Sequence, residues 1–251
     1  MRKNSVKKRR SPMRIVGDIV VVLIIIALLG TAAYLLYKEF YPNNTPILKM
    51  QVMNQDGDTV TIDWDALRAQ NPDTVGWLTI DGTNIDTPIV QTTDNNLYLY
   101  TAFDGSSDER GVPFLDCDYQ WGTSRNAVIY GHSTMRSGVH VIFDDLMTYA
   151  DNPAYADQYG TMVLHRPPDL GGDATYQIFA VLIEEADYDY RQMDFASDEE
   201  FVAYYQRIKA DSRYQSAVTV EPGDEILTLS TCIFNVGLND GRLAVIGKRI
   251  A

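Results

Sequence analysis

The sequence contains few cysteines, and this scarcity excludes several classes of protein. Two cysteines among 251 residues cannot build a disulfide scaffold, and neither CxxC nor HxxxH spacing occurs to suggest a zinc site. No internal repeat or low-complexity segment is present. Basic side chains are also scarce after residue 44, where 13 Lys and Arg face 32 Asp and Glu, a net charge of −19. Such an acidic body argues against nucleic acid as a partner, because phosphates would be repelled.

Positive charge is concentrated at the N-terminus instead. Residues 1–44 carry 8 basic and 2 acidic side chains, and seven of the basic ones precede an apolar run from Ile19 to Leu36. As a helix, these 18 residues would span roughly 27 Å, close to the thickness of a bilayer's hydrocarbon core. The basic flank predicts an uncleaved, single-pass membrane anchor with a cytoplasmic N-terminus. A cleaved signal peptide is the alternative, although its apolar core is normally shorter.

Four segments are therefore predicted along the chain. They are a cytoplasmic basic tail at 1–14, a transmembrane signal anchor at 15–37, a connector at 38–60 and an extracytoplasmic domain at 61–251. The connector contains Pro42, Asn43, Asn44 and Pro46, which break the helix and lead away from the membrane.

The sequence pattern of residues 61–251 predicts a mostly β fold with peripheral helices. Short runs rich in Val, Ile, Thr and Tyr alternate with turn residues, which favours a closed or nearly closed, antiparallel-rich barrel. The eight predicted strands are Gly76–Ile80, Pro88–Gln91, Val112–Leu115, Ala127–Tyr130, Thr161–His165, Tyr176–Glu184, Glu225–Cys232 and Leu243–Ile250. One short helix is predicted over Ile62–Ala69. A second is predicted from its capping box, Ser197 with Glu200, and from its apolar face of Phe201, Tyr204, Tyr205 and Ile208.

Three residues at strand ends form a candidate reactive centre. Cys232 ends one predicted strand and Arg242 begins the next, so a hairpin turning near Gly237 would place them side by side. His132 follows another strand, after a Gly131 that is expected to supply an unusual backbone angle. A cysteine needs a base to become a thiolate, and a guanidinium beside the sulfur would stabilise the oxyanion of a tetrahedral intermediate. The implied chemistry is acyl transfer through a thioester.

Each of these residues also has an ordinary structural interpretation, and other residues compete for the same roles. A lone cysteine is usually a small buried hydrophobe, and a lone histidine or arginine is usually a polar loop residue. Cys117 is the weaker nucleophile because Asp116 and Asp118 disfavour a thiolate. His140 has an apolar context typical of a core or edge position, and His165 lies at a strand exit. A Cys117–Cys232 disulfide, conceivable outside the cell, would abolish the chemistry.

The motifs resemble those of sortases, the membrane-anchored transpeptidases of Gram-positive bacteria. Thr228–Cys232 reads TLSTC and is followed ten residues later by Arg242, an arrangement similar to the sortase signature. Tyr130–His132 is similar to the family's catalytic histidine segment. The resemblance extends over nearly all of 61–251 and is strongest to class B, whose long insertion before the cysteine strand is also present. Two further stretches support it, Asn71–Leu78 and Asp94–Leu99.

The resemblance implies an eight-stranded β-barrel and a defined mechanism. Cys232 would attack the Thr carbonyl of a sorting motif near the C-terminus of a secreted protein, giving a thioester. His132 would act as general acid and then general base, and Arg242 would bind the substrate backbone and the oxyanion. The acceptor would be an amine of a peptidoglycan precursor. No metal and no cofactor is expected.

The resemblance also implies a substrate groove. Four residues match positions that contact or line it, namely Ser230, Asn95, Leu99 and Tyr190. Turn polarity for Asn95, core packing for Leu99 and a surface aromatic for Tyr190 are their ordinary interpretations. One departure from class B concerns the loop after His132, where Ser133, Thr134 and Met135 replace the usual Asn and Met.

Two alternative functions remain open from the sequence. One is a hydrolytic cysteine peptidase that uses the same triad with water as acceptor. The other is a non-catalytic, membrane-tethered, wall-binding module. Pilin polymerisation through a lysine is a variant of the transpeptidase function. Because the chain stops at Ala251 without a second membrane helix, wall anchoring is expected instead.

Overall fold

The computed structural model describes residues 12–40, 51–53, 60–134 and 140–251. The chain divides into two compact units, Met1–Pro46 and Ile47–Ala251. Most of the predicted basic tail and most of the predicted connector, including its Pro and Asn residues, lie outside the described residues. The boundaries of the four predicted segments stay predictions.

Helix α1 is the element described in the first unit. It covers Pro12–Phe40, a length of 29 residues. Large apolar side chains are exposed along it, including Ile19, Leu23 and Leu29. Among the described residues, no helix combines the length and the apolarity that crossing a membrane requires.

A closed β-barrel dominates the second unit. Within the described residues the strands are β1 (Gln51–Met53), β2 (Val60–Ile62), β3 (Thr74–Ile80), β4 (Asp86–Val90), β5 (Phe114–Leu115), β6 (Asn126–Tyr130), β7 (Thr161–His165), β8 (Ala174–Glu185), β9 (Ile226–Cys232) and β10 (Gly241–Arg249). Strands β3 to β10 close in the order β10-β8-β7-β3-β4-β5-β6-β9. Neighbours are antiparallel except for the parallel pairs β4–β5 and β6–β9. The predicted eight-stranded, antiparallel-rich barrel is therefore confirmed, and β1 and β2, which were not predicted, form a separate antiparallel pair.

Short helices surround the barrel. They are α2 (Trp64–Gln70), α3 (Met147–Asp151) and α4 (Asp198–Asp211), with 3-10 turns at Leu97–Leu99, Ile142–Leu146, Pro153–Asp157 and Pro168–Leu170. Helix α2 begins later than predicted because Ile62 belongs to β2 and Asp63 caps the helix, its carboxylate accepting from the Ala66 amide at 2.9 Å. Ser197 caps α4 as predicted. The Glu200 carboxylate, however, accepts from the Ala196 amide at 2.7 Å, one residue before the expected capping-box partner.

Two hydrophobic clusters define the inner and outer faces of the barrel. The interior cluster draws side chains from all eight barrel strands, including Leu229 of β9 and Val245 of β10. The alternate residue Ala244 packs in a second cluster with the apolar face of α4. Because successive strand residues point to opposite faces, even-numbered residues of β9 and β10 face outward, toward α4. That outer face carries the candidate site.

Candidate active site

The β9–β10 hairpin brings Cys232 and Arg242 together. The two residues are direct partners in the antiparallel register, so their side chains lie on the same outer face of the barrel. The connecting loop turns through left-handed backbone at Asn235, with φ 59°, and at Gly237, with φ 81°. The predicted juxtaposition across a turn near Gly237 is thus confirmed.

Asp240 holds the Arg242 guanidinium. Nη1 and Nη2 of Arg242 donate to the two oxygens of the Asp240 carboxylate. Glu185 anchors this part of the loop by accepting from the amides of Asn239 and Asp240, at 3.0 and 2.9 Å. Burial opposes the guanidinium charge, but the hydrogen bond to Asp240 and the electrostatic interactions with Cys232 and Asp240 outweigh it and raise the pKa of Arg242. A permanent cation therefore stands beside the sulfur.

The parallel pairing of β6 with β9 brings His132 level with Cys232. Tyr130 is the register partner of Ser230, so His132 and Cys232 each lie two residues beyond a paired position. The contact between the two segments continues past the end of β6. The Gly131 amide donates to the Ser230 carbonyl at 3.2 Å, and Thr231 Oγ1 donates to the Gly131 carbonyl at 2.7 Å.

Ser133 and Leu99 complete the contacts of the histidine segment. The Ser133 hydroxyl donates to the Cys232 carbonyl, so the departure from the class B pattern at this residue forms a link to the cysteine strand. The backbone carbonyl of Leu99 lies 2.8 Å from Nε2 of His132. Met135, also part of the predicted departure, lies outside the described residues.

Gly131 is required for space and not for its backbone angle. Its φ is not among the positive values found in the described residues, so the expectation of an unusual angle is wrong. A Cβ at this position would lie 2.6 Å from a ring carbon of Phe143, which is fully buried. The glycine therefore lets the histidine segment pass over the Phe143 ring.

The four predicted substrate-binding residues have different environments. Ser230 and Tyr190 are buried and joined through their hydroxyls at 2.8 Å, so the ordinary interpretation of Tyr190 as a surface aromatic is wrong. Burial raises the pKa of Tyr190, which keeps that hydroxyl protonated. Asn95 is half-buried and its side-chain oxygen accepts from the Cys117 amide at 2.8 Å. Leu99 packs against a peripheral cluster while its carbonyl reaches His132. Their roles toward substrate stay predictions.

The competing cysteine and histidines lie in other environments. Cys117 and Cys232 are both free thiols, so the conceivable disulfide is absent. Partial burial and the charges of Asp118 and Asp116 raise the pKa of the Cys117 thiol. His140 is exposed, contrary to the core or edge position expected for it, and lies 2.6 Å from an Asp145 oxygen.

His165 has a carboxylate partner as well, its Nδ1 lying 2.9 Å from Asp173.

Among the described residues, the potential metal-ligand atoms of Asp116, Cys117 and Asp118 lie within 4.8 Å of one another. Both Asp116 oxygens already accept hydrogen bonds, one from Tyr130 and one from the Asp118 amide. This acidic group gives no reason to assign a metal.

Comparisons with known proteins agree with this geometry. A family model described as Sortase domain matches residues 78–250, a range that includes His132, Cys232 and Arg242. Sortase B of Listeria monocytogenes is 33% identical over 191 residues, which cover 73% of this chain and 72% of that protein. Sortase B of Staphylococcus aureus is 25% identical over 240 residues, covering 92% of this chain and 94% of that protein.

Solved structures show the same similarity in three dimensions. Sortase B of Bacillus anthracis matches with a TM-score of 0.69 and 27% identity, covering 85% of this chain and 99% of that chain. Sortase B of Clostridium perfringens matches with a TM-score of 0.67 and 28% identity, covering 74% of this chain and 99% of that chain.

Proposed function

Because this chain belongs to the sortase family, with class B members as its relatives, we propose that Cys232, His132 and Arg242 perform its cysteine transpeptidase reaction. The single observation that carries the assignment is the meeting of three strand ends. Cys232 is the direct register partner of Arg242, and His132, two residues past the end of the parallel neighbour β6, lies level with Cys232. A nucleophile, an acid–base group and a fixed cation therefore share one end of the barrel's outer face.

In the first half-reaction the substrate peptide is cleaved. The Cys232 thiolate attacks the Thr carbonyl carbon of the sorting motif, and the negative charge moves to the carbonyl oxygen beside the Arg242 guanidinium. The tetrahedral intermediate collapses, its C–N bond breaks, and the imidazolium of His132 gives its proton to the departing amine. The product is a thioester between the secreted protein and Cys232.

In the second half-reaction the thioester is transferred to an amine. The peptidoglycan amine attacks the thioester carbonyl while neutral His132 takes its proton. The new amide bond forms as the C–S bond breaks, which regenerates the thiolate and the imidazolium. No net oxidation or reduction occurs, so the cycle needs no cofactor.

Partitioning of the acyl-enzyme separates this reaction from simple hydrolysis. We propose to incubate the full chain with a fluorogenic pentapeptide library, with and without a short glycine peptide or a diaminopimelate peptide. A transpeptidase converts the thioester into the amine adduct, whose fraction rises with amine concentration. If the fraction of amine adduct does not change with amine concentration, the enzyme is a hydrolytic peptidase. Turnover that persists in Cys232→Ala would refute the assigned nucleophile. A wild-type chain that turns over no peptide of the library would leave the non-catalytic module.

We propose that Ser230, Asn95, Leu99 and Tyr190 act on the substrate side of the site. Support for all four comes from their matches to the class B groove, and support for Ser230, Tyr190 and Leu99 comes also from contacts that link them to the centre. Ser230 lies on the same outward face as Cys232 and is bonded to Tyr190. Leu99 meets His132 through its carbonyl. Ser230→Ala should raise KM for the peptide more than it changes kcat, and an unchanged KM would remove it from the groove.

We also propose that the N-terminal segment attaches the enzyme to the cell membrane, with the barrel on the extracytoplasmic side. Seven basic residues before the apolar run Ile19–Leu36 support this orientation. Alkaline carbonate should leave the full chain in the membrane fraction, and detergent should release it. Protease added to intact protoplasts should digest the barrel. Recovery of the full chain in the soluble fraction would refute the proposal.

A further inference from the structure

The Leu99 carbonyl determines which nitrogen of His132 carries a proton. Nε2 of His132 lies 2.8 Å from this carbonyl oxygen. A carbonyl oxygen can only accept a hydrogen bond, so Nε2 must be the donor. Nδ1 is then the nitrogen that can exchange a proton during the reaction. The second nitrogen of a catalytic histidine is usually held by a carboxylate or a carbonyl in this way.

The backbone on both sides of Leu99 is held in place. The carbonyl of Tyr98 accepts from the Val112 amide at 3.1 Å, and the carbonyl of Tyr100 accepts from the Asp108 amide at 3.0 Å. Gly111, with φ 61°, permits this close approach, because a Cβ there would lie 2.2 Å from the Tyr98 carbonyl oxygen. The Leu99 carbonyl, between these two, is the one that accepts from the imidazole.

The Tyr98 side chain ties this segment to the end of α2. Asn71 donates from Nδ2 to the Tyr98 hydroxyl and to the Phe103 carbonyl, both at 2.9 Å. The hydroxyl in turn donates to Asp73 Oδ2 at 2.8 Å, and Asn71 Oδ1 is a second acceptor at 3.1 Å. Tyr98 and Asn71 are only 6% and 5% exposed, so water does not readily replace these bonds. Burial, followed by the hydrogen bond and charge of Asp73, raises the pKa of Tyr98 to about 12, and the hydroxyl remains a donor at neutral pH.

We infer that Tyr98, held by Asn71 and Asp73, is a positioning residue that keeps the Leu99 carbonyl against Nε2 of His132. The inference rests on the proposed acid–base role of His132 and adds a physical role for the Asn71–Asp73 stretch. The contacts lead from the end of α2 to the Tyr98 hydroxyl, and from the adjacent Leu99 carbonyl to the His132 imidazole.

The direct test is the exchange of the His132 Nε2 proton with water. The full chain, ¹⁵N-labelled at histidine and carrying Cys232→Ala, is prepared in detergent, and its three imidazoles are assigned by substituting His140 and His165. We expect a slowly exchanging Nε2 proton on His132 and at least a tenfold faster exchange in Tyr98→Phe. This measurement needs no turnover, so its outcome is independent of the proposed reaction.

A matched control removes an equivalent hydroxyl elsewhere. Tyr214 also donates to a carboxylate at 2.8 Å, that of Asp157, and is 9% exposed. Tyr214→Phe should leave the exchange of the His132 proton and kcat unchanged. If it accelerates exchange as much as Tyr98→Phe does, the effect is general loosening and the inference is overturned.

Kinetics on the chain with intact Cys232 give a second readout. Tyr98→Phe should lower kcat by about three- to tenfold, the factor that corresponds to the loss of one hydrogen bond, with KM nearly unchanged. Asp73→Asn keeps an acceptor oxygen for Tyr98 and should retain kcat, whereas Asp73→Ala should lower kcat by less than Tyr98→Phe does, because Asn71 still contacts the hydroxyl. Fast exchange in the Cys232→Ala chain, or a Tyr98→Phe chain with unchanged exchange and kcat, would overturn the inference. Turnover by Cys232→Ala would instead overturn the proposed function.

Discussion

Replacing Gly131 with alanine tests the packing that places the histidine. The added Cβ would lie 2.6, 2.8 and 2.9 Å from three ring carbons of Phe143. Real Cβ atoms do not approach carbon so closely, and the ring is fully buried, in an interior where side chains are close-packed. Overpacking of this kind costs about 1–3 kcal/mol of unfolding free energy. Because the φ of Gly131 is not positive, backbone strain does not add to this cost.

The same substitution should reduce catalysis more than it reduces stability. Gly131 bonds to β9 on both sides, through its amide to Ser230 and through its carbonyl to Thr231. A shift that relieves the clash moves His132, and a misplacement of about 1 Å costs up to about a hundredfold in rate. We expect kcat to fall about 10- to 100-fold, measured with saturating peptide and amine under conditions where the variant is folded.

A double-mutant cycle separates the clash from other effects. Phe143→Leu alone should cost about 1 kcal/mol, and combined with Gly131→Ala it should recover much of the lost stability, a coupling of about 1–2 kcal/mol. Urea unfolding with a constant m-value gives each free energy. Gly122→Ala is the control, because its φ of 75° imposes strain while nothing lies within 4 Å of the new Cβ. Wild-type stability and kcat in Gly131→Ala, or equal rescue of Gly122→Ala by Phe143→Leu, would refute the reasoning.

Three further predictions follow from other contacts. Arg242→Lys keeps the charge but loses the planar pair of donors, so kcat should fall about a hundredfold. A fall in kcat of less than twofold would exclude a role of Arg242 in stabilising the oxyanion. The raised pKa of Cys117 lowers its thiolate fraction, so at pH 8 its alkylation, followed by mass spectrometry, should be slower than that of a peptide thiol. The alkylation rate should rise with pH and should be higher in Asp118→Asn. Equal rates for Cys117 and the peptide thiol would contradict this prediction. Tyr190→Phe leaves the buried Ser230 hydroxyl unpaired and should cost about 1–3 kcal/mol in urea unfolding, while adding Ser230→Ala should recover most of it; no recovery would place the cost elsewhere.

The barrel strands illustrate how much local pattern predicts. All eight predicted barrel strands occur, and their ends differ from the observed ones by at most two residues. Alternating apolar residues and turn residues are local signals, and the strand end at Cys232 and the turn at Gly237 suffice to pair Cys232 with Arg242. The buried face of α4 was likewise predicted from a helical period. The short strands β1 and β2 lack such a signal and were missed.

The environment of the reactive groups shows where local pattern ends. The contact between Leu99 and His132 joins residues 33 apart, and the one between Ser133 and Cys232 joins residues 99 apart. The second contact depends on closing the barrel with β6 parallel to β9, a pairing that a strand pattern does not specify. Gly131 was expected to supply an unusual backbone angle, but a glycine is needed there because a Cβ would clash with the Phe143 ring. The local sequence does not reveal a steric neighbour that is distant in the chain.

The sequence by itself determined the strands, the capped helix and the types of reactive side chain, because each depends on residues near one another along the chain. Tertiary structure alone decided the partners of those side chains. Tyr190 lies buried against Ser230 because the insertion carrying α4 folds onto the outer face of the barrel. The Leu99 carbonyl meets His132 because Tyr98 is bonded to the end of α2. Such contacts arise only when distant segments are packed together, where burial makes each unpaired polar group costly.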